Sequence, residues 1–234
     1  MHRMVGLSRA IKQEWLDKTG ELVTYTRDEG KIKDMLDEYL SYEIKSPINL
    51  RKSRDILMNI WVRPVGPTSQ IRDEAILVFN EVHSNKTALH WGLMLHAYPI
   101  FADVCGFIGK ISMVQDTFTT AWLQEKVLSQ WGERQTLIHA IPKILQTLRS
   151  LGAVENMNPG VYQICTQRVS DSETIKIMLM ALLALKKKAY YEVSELSSVP
   201  LYFPFEYSVP LECLHQMPEF NINSLGGKMV VQVK

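Results

Sequence analysis

TFTTAWLQEKVLSQWGERQTLIHAIPKILQTLRSLGAVENMNPGVYQI, residues 117–164, is the stretch on which the fold turns. Thr117-Phe118-Thr119 is β-prone and short, and Thr120 is placed to cap a helix from Ala121 to Trp131. Trp122, Leu123, Val127, Leu128 and Trp131 recur at helical spacing and form its apolar face. Gly132-Glu133-Arg134 breaks the pattern. A second helix then runs from about Gln135 to Leu151, with Leu137, Ile138, Ile141, Ile144, Leu145, Leu148 and Leu151 turned inward. Gly152 closes it in the left-handed conformation such positions favour. Ala153 to Glu155, a turn over Asn156–Gly160, and Val161 to Ile164 read as strand, turn and strand. Helix, tight turn, longer helix and hairpin give the order of a winged helix-turn-helix. Pro142 stands against this order, because a proline inside a helix costs about 3 kcal/mol unless its neighbours compensate.

Upstream, the chain reads as helical. Ile11, Trp15, Leu22 and Val23 start an apolar stripe, and Ile32, Met35, Leu36, Tyr39 and Leu40 form another. Ser46-Pro47 is a helix start, with Ser as cap and Pro in the first turn. The helix after it turns Ile48, Ile56, Leu57, Ile60 and Trp61 inward and stops at Arg63-Pro-Val-Gly-Pro. Thr68 or Ser69 caps a helix through Val82, and Pro99 divides the apolar run Ala88–Ile111 into two helices. Downstream, Asp171 or Ser172 caps a helix reaching about Tyr191, with Lys186-Lys187-Lys188 near its end. Tyr202–Tyr207 reads as a strand and Leu211–Gln216 as a short helix. Phe220–Leu225 and Lys228–Val233 make a hairpin about Gly226-Gly227. The expected class is mainly α. An N-terminal helical bundle spans 1–112, a winged helix-turn-helix 113–168, and a small C-terminal α+β segment with a β-hairpin 169–234.

Composition narrows the function. The 234 residues carry 26 Lys plus Arg against 25 Asp plus Glu, a net charge of +1. No global field draws the chain to nucleic acid, so DNA binding requires charge segregated onto one face. Cys105, Cys165 and Cys213 stand far apart without CxxC spacing, as in a reduced, cytoplasmic protein with no zinc site. No apolar run reaches the roughly 20 residues a bilayer needs, so no membrane partner is expected. His2, His83, His90, His96, His139 and His215 form no HExxH pattern, and phosphate-loop, dinucleotide and nucleophile-elbow motifs are absent. Asp37-Glu38 and Asp73-Glu74 lie on amphipathic helices, where solvation explains them. Nothing points to an enzyme or a cofactor.

What remains is recognition. On the second winged helix the outward positions are Gln135, Thr136, His139, Lys143 and Gln146, preceded by Arg134. Gln reads adenine edges, and Arg and Lys take guanine or phosphate. The wing tip, Asn156–Gly160, has no cation, which lowers phosphate affinity there. Arg149 and Arg168 flank it. A second basic element is Lys45 to Arg54, holding Arg51, Lys52 and Arg54; Asn49, Lys52 and Ser53 fall on one broad face. The three-lysine run reads as an exposed helix end.

The Ser46-Pro47 helix with Arg51-Lys52-Ser53-Arg54, the helices after it, and a winged unit ending Leu148-Arg-Ser-Leu-Gly152-Ala-Val resemble the BrxA family of BREX bacteriophage-exclusion systems, over about Glu43–Glu155. The resemblance implies a mostly helical, non-enzymatic bacterial protein that binds double-stranded DNA and works beside a methyltransferase and other defence-system proteins. Arg51, Lys52 and Arg54 match that family's basic helix. The near-neutral charge and the Tyr202–Val233 β segment depart from it. They leave open an adaptor that docks partner subunits through its winged helix and hairpin, with Met229–Val233 as a free edge strand, or a homo-oligomer.

Overall fold

The structure, a computed structural model, describes residues 6–64, 66, 68–82, 85–185, 188–209, 211–215, 217–218 and 220–233, the side chains of 213 and 233 excepted. Lys186, Lys187, His2, His83 and the Cys213 thiol therefore lie outside the described residues. The fold is mainly α with small sheets and a C-terminal α+β segment. Helices α1 (Gln13–Tyr25), α2 (Glu29–Ser41), α3 (Pro47–Trp61), α4 (Thr68–Val78), α5 (Lys86–Ala97) and α6 (Pro99–Ile111) form the N-terminal bundle. The Ser46 hydroxyl accepts from the Asn49 N–H at the start of α3, as its Ser-Pro pair implies. Pro99 does divide α5 from α6. Tyr98 before it is extended, as a residue preceding proline prefers, and the two axes bend by 118°.

Strand β1 (Thr117–Thr119), α7 (Thr120–Trp131), α8 (Gln135–Ser150), β2 (Val154–Asn158) and β3 (Val161–Ile164) follow. After β4 (Gln167–Arg168), α9 (Ser172–Ala184) returns to the bundle and packs on α4 and α5. Its cap is Asp171, which accepts from the Thr174 N–H at 2.9 Å. β5 (Tyr191–Glu192), 3-10 turns at Val193–Ser198 and Pro200–Tyr202, β6 (Phe205–Glu206), α10 (Leu211–His215), β7 (Phe220–Leu225) and β8 (Lys228–Val233) complete the chain. One contiguous buried cluster runs from Leu7 through both helical units to Val231. Among the described residues no single helix is long and apolar enough to cross a membrane.

Several expectations need correction. Thr119, not Thr120, caps α7, its hydroxyl accepting from the Trp122 N–H. Helix α4 begins at Thr68 and stops at Val78, because Phe79 turns into the core against Trp61 and His90. Helix α9 ends at Ala184 rather than near Tyr191, which pairs with Val231 in a sheet. Tyr202–Tyr207 is no continuous strand: Pro200 and Pro204 remove ladder donors, and only Phe205–Glu206 pairs, parallel to β4. Ile48 (62% exposed) and Ile138 (39% exposed) face outward. The hairpin about Gly226-Gly227 forms with both φ positive, as a tight two-residue turn requires. Strand β8, however, is the middle of the order β5-β8-β7, so Met229–Val233 is not the free edge.

Buried polar groups tie the elements together. The Trp61 indole N–H donates to His90 Nδ1 at 3.1 Å. An indole only donates, so Nδ1 accepts and Nε2 carries the proton, given to Asp17 at 2.9 Å. This chain, buried at Trp61 and His90 and reaching a partly exposed Asp17, joins α3, α5 and α1. Trp91 on α5 donates to the Leu201 carbonyl, and Tyr202 donates to the Met178 carbonyl of α9. Gly109 on α6 lies so close to Pro200 that any Cβ would run into the Pro200 carbonyl.

Two expectations follow. Gly109→Ala forces backbone apart and should destabilise the fold by about 1–3 kcal/mol or more, read from the denaturant midpoint. Burial, outweighing the hydrogen bond and charge of Asp17, holds the His90 pKa below its ordinary 6.5. The native state then binds fewer protons than the unfolded chain, so this stabilisation is complete above pH 6.5 and is lost as pH falls below it. Half-buried His96 acts in the same direction. Melting temperature should decline from neutral pH into the acid range more steeply in wild type than in His90→Gln; parallel profiles would rule out this source.

Candidate nucleic-acid interface

The winged unit uses a helix that also belongs to the bundle. Helix α6 packs on α5 and on α7, and the Trp131 indole N–H of α7 donates to Asp103 of α6 at 3.1 Å. Strand order β1-β3-β2 is antiparallel throughout, with Phe118 opposite Tyr162 and their rings stacked 5.6 Å apart. Element order α6, β1, α7, α8, β2, β3 is that of a winged helix, with α8 in the recognition position. Leu123, Val127 and Trp131 from α7 meet Leu137, Ile141, Ile144, Leu145 and Leu148 from α8 in its core. Gly132 ends α7 with φ of +78°. Gly152 ends α8 with φ of +66°, and the Ala153 N–H returns to the Leu148 carbonyl.

Helix α8 is continuous from Gln135 to Ser150 despite Pro142. Pro142 sits on the exposed face, so its ring meets solvent and the orphaned Ile138 carbonyl borders solvent too. This is the compensation that the sequence left unspecified. The exposed face carries Gln135, Thr136, Ile138, His139, Gln146 and Arg149. Lys143 is half-buried beside it, its ammonium 3.4 Å from Gln146 Oε1. Arg134 is the half-buried residue before the helix and makes no side-chain cap. The residues expected on α8 are therefore gathered on one accessible surface.

The wing differs from its expected form. Strand β2 continues to Asn158, leaving only Pro159-Gly160 to turn, and the register slips between Asn156 and Asn158. Met157 is the extra residue of this bulge and stands 54% exposed. Glu155, Asn156 and Asn158 are also exposed, so the wing offers no cation.

On α3, Arg51 and Lys52 are exposed. Arg54 is not placed for phosphate. Its Nη1 reaches Asp37 at 2.7 Å and its Nη2 reaches Asp55 at 2.8 Å, with 11% of the side chain exposed. Burial alone would lower the Arg54 pKa, but hydrogen bonds to Asp55 and Asp37 leave it raised. Ser53, expected to share a face with Asn49 and Lys52, is buried. Lys188, the described member of the lysine run, pairs with Glu195 at 2.7 Å.

Sequence reasoning passed over the N-terminal arm, residues 6–12. The Ile11 N–H donates to Thr147 Oγ1 and the Gln13 N–H to Ser150 Oγ, both at 3.0 Å, so the chain entering α1 lies along the C-terminal half of α8. Arg9, in the same arm, grips Asn49 of α3. No periodic pattern marks a single arginine whose partner lies 40 residues away. Among the described residues no group of three His, Cys, Asp or Glu stands together as metal ligands, and the Cys165 thiol is raised in pKa by burial. No protein-family model matches the chain, and neither a curated protein nor a solved structure does so.

Replacing Pro142 by Ala supplies the missing donor to the Ile138 carbonyl on a helix already straight enough to accept it. Pro142→Ala should raise stability by about 1–3 kcal/mol in equilibrium denaturation. A loss of stability would show that α8 depends on the proline's fixed backbone angle.

Proposed function

We propose that the protein is a non-catalytic DNA-binding accessory protein whose winged helix meets duplex DNA through α8. The observation that carries this reading is the exposed face of α8, where Gln135, Thr136, His139 and Gln146 are open to solvent and Lys143 flanks them. Arg134 stands where α8 begins, and Arg51 and Lys52 are the solvent-facing cations of α3. A helix of this width enters the major groove, and amide, imidazole and hydroxyl side chains address base edges and phosphates. The resemblance of its sequence to the BrxA family is what supports a role in bacterial phage defence beside other components of such a system. A second reading is favoured by the wing: a neutral tip with exposed Met157 suits contact with a protein partner better than contact with phosphate.

Titration of labelled duplex DNA across a salt series tests the first reading. Affinity should fall as salt rises, and Lys143→Ala should weaken binding to all sequences and reduce the log–log salt slope by about 1. Gln135→Ala and His139→Ala should leave that slope unchanged while narrowing the difference between preferred and random duplexes. Absence of binding at low salt sinks the DNA reading and favours the protein-docking one.

A further inference from the structure

The geometry points to a phosphate-binding strip made by Lys52, Arg9 and Lys143, in which the N-terminal arm, and not the wing, holds the backbone of the DNA bound by α8; it rests on the DNA-binding reading above. The arm ties the two basic elements into one surface. At one end, Lys52 and Ser8 line the same cleft, about 450 Å³ in volume, between the arm, α3 and the start of α6. Next along the chain, Arg9 directs Nε and Nη2 to Asn49 Oδ1 at 3.1 and 2.9 Å. Its Nη1 donates to the Ser8 carbonyl at 2.6 Å. A guanidinium has five N–H groups, so two remain for a ligand after these three bonds. At the other end Ile11 donates to the Thr147 hydroxyl, and that hydroxyl donates to the Lys143 carbonyl at 3.0 Å. Only Ala10 separates Arg9 from Ile11, a span of at most about 7 Å.

None of Arg9, Lys52 and Lys143 forms an ion pair among the described residues. Asp55 shares the cleft with Lys52 but is held by Arg54, and Lys12 of the arm is neutralised by Glu43. Successive helix positions differ by about 100°, so Arg51 points well away from Lys52 on α3. Lys52 lies on the side of Asn49 and the arm; Arg51 lies toward Arg54. On α8, Lys143 is on the flank that the arm covers one turn later at Thr147. The wing on the far side brings Glu155 and no cation. Cations thus line the arm side of α8, while the wing tip brings none. They also let a chain of near-zero net charge bind a polyanion locally.

The test is the salt dependence of duplex binding by the full chain and by four variants, each checked for a wild-type melting temperature. Arg9→Gln, which keeps a donor for Asn49 but not the charge, and Lys52→Ala should each reduce the salt slope by about 1 and weaken all duplex sequences alike. Asn49→Ala, which unseats Arg9 without changing charge, should weaken binding as well. Lys33→Ala, at an exposed lysine of α2 outside the strip, should keep the wild-type slope. If α8 variants weaken binding while Arg9→Gln and Lys52→Ala bind with the wild-type slope, the strip is overturned and the DNA reading stands. A slope change for Lys33→Ala equal to that for Lys52→Ala also overturns it, since the effect is then diffuse charge. No duplex binding by the wild type overturns both.

Discussion

The approach of α6 to Pro200 governs the arrangement of the molecule. A glycine at position 109 lets the helix backbone lie directly on the Pro200 carbonyl. That contact holds the C-terminal segment against a helix which also packs on α5 and α7. Around it, Trp91 meets Phe101, Phe203 and Phe205 edge-on and donates to the Leu201 carbonyl. A protein interior is packed as densely as an organic crystal, so a methyl group inserted at 109 displaces all three partners of α6. The winged unit is therefore no appended module. Its first helix is part of the bundle core, and its orientation is set by the same contact that seats residues 200–207.

A second set of contacts decides which surface of the winged unit is usable. The arm preceding α1 lies on the C-terminal half of α8, where Thr147 and Ser150 accept its backbone N–H groups. The arm covers one flank, and the sheet and α7 cover the base. What is left open is the stripe from Gln135 through His139 and Pro142 to Gln146 and Arg149. Pro142 lies on this exposed stripe, where a proline ring displaces no core side chain. The same arm brings α3 alongside. An element without regular structure thus joins α3 to the flank of α8.

Much of this was legible in residue order. The Ser46-Pro47 start, the Pro99 break, the Gly152 cap and the Gly226-Gly227 turn are local devices, acting through backbone angles and hydrogen bonds within a few residues. The winged unit was legible because its core positions recur at helical spacing on both sides of Gly132. The misreadings share a cause. Val82 and Tyr191 were given to helices because their neighbours were apolar, yet Phe79 and Tyr191 leave the helix to reach Trp61 and Val231. Met229–Val233 was read as an edge, but Tyr191 and Glu192, nearly forty residues earlier, occupy its far side. Arg54 had the composition of a phosphate ligand and was neutralised by Asp37 from another helix and by its own neighbour Asp55.

By itself the sequence determined where helices with a local cap or breaker begin or end, that one segment would fold as a winged helix, and that no global charge would drive nucleic-acid binding. Those properties rest on interactions a few residues long, or on composition. Only the tertiary structure decided that α9 returns to the N-terminal bundle, that β8 lies inside its sheet, and that Arg9 of the arm binds Asn49 of α3 while Arg54 is spent within the fold. Each of these depends on side chains far apart in the chain and adjacent in space. Charge and burial act through distance, and distance is what a linear order of residues leaves unstated.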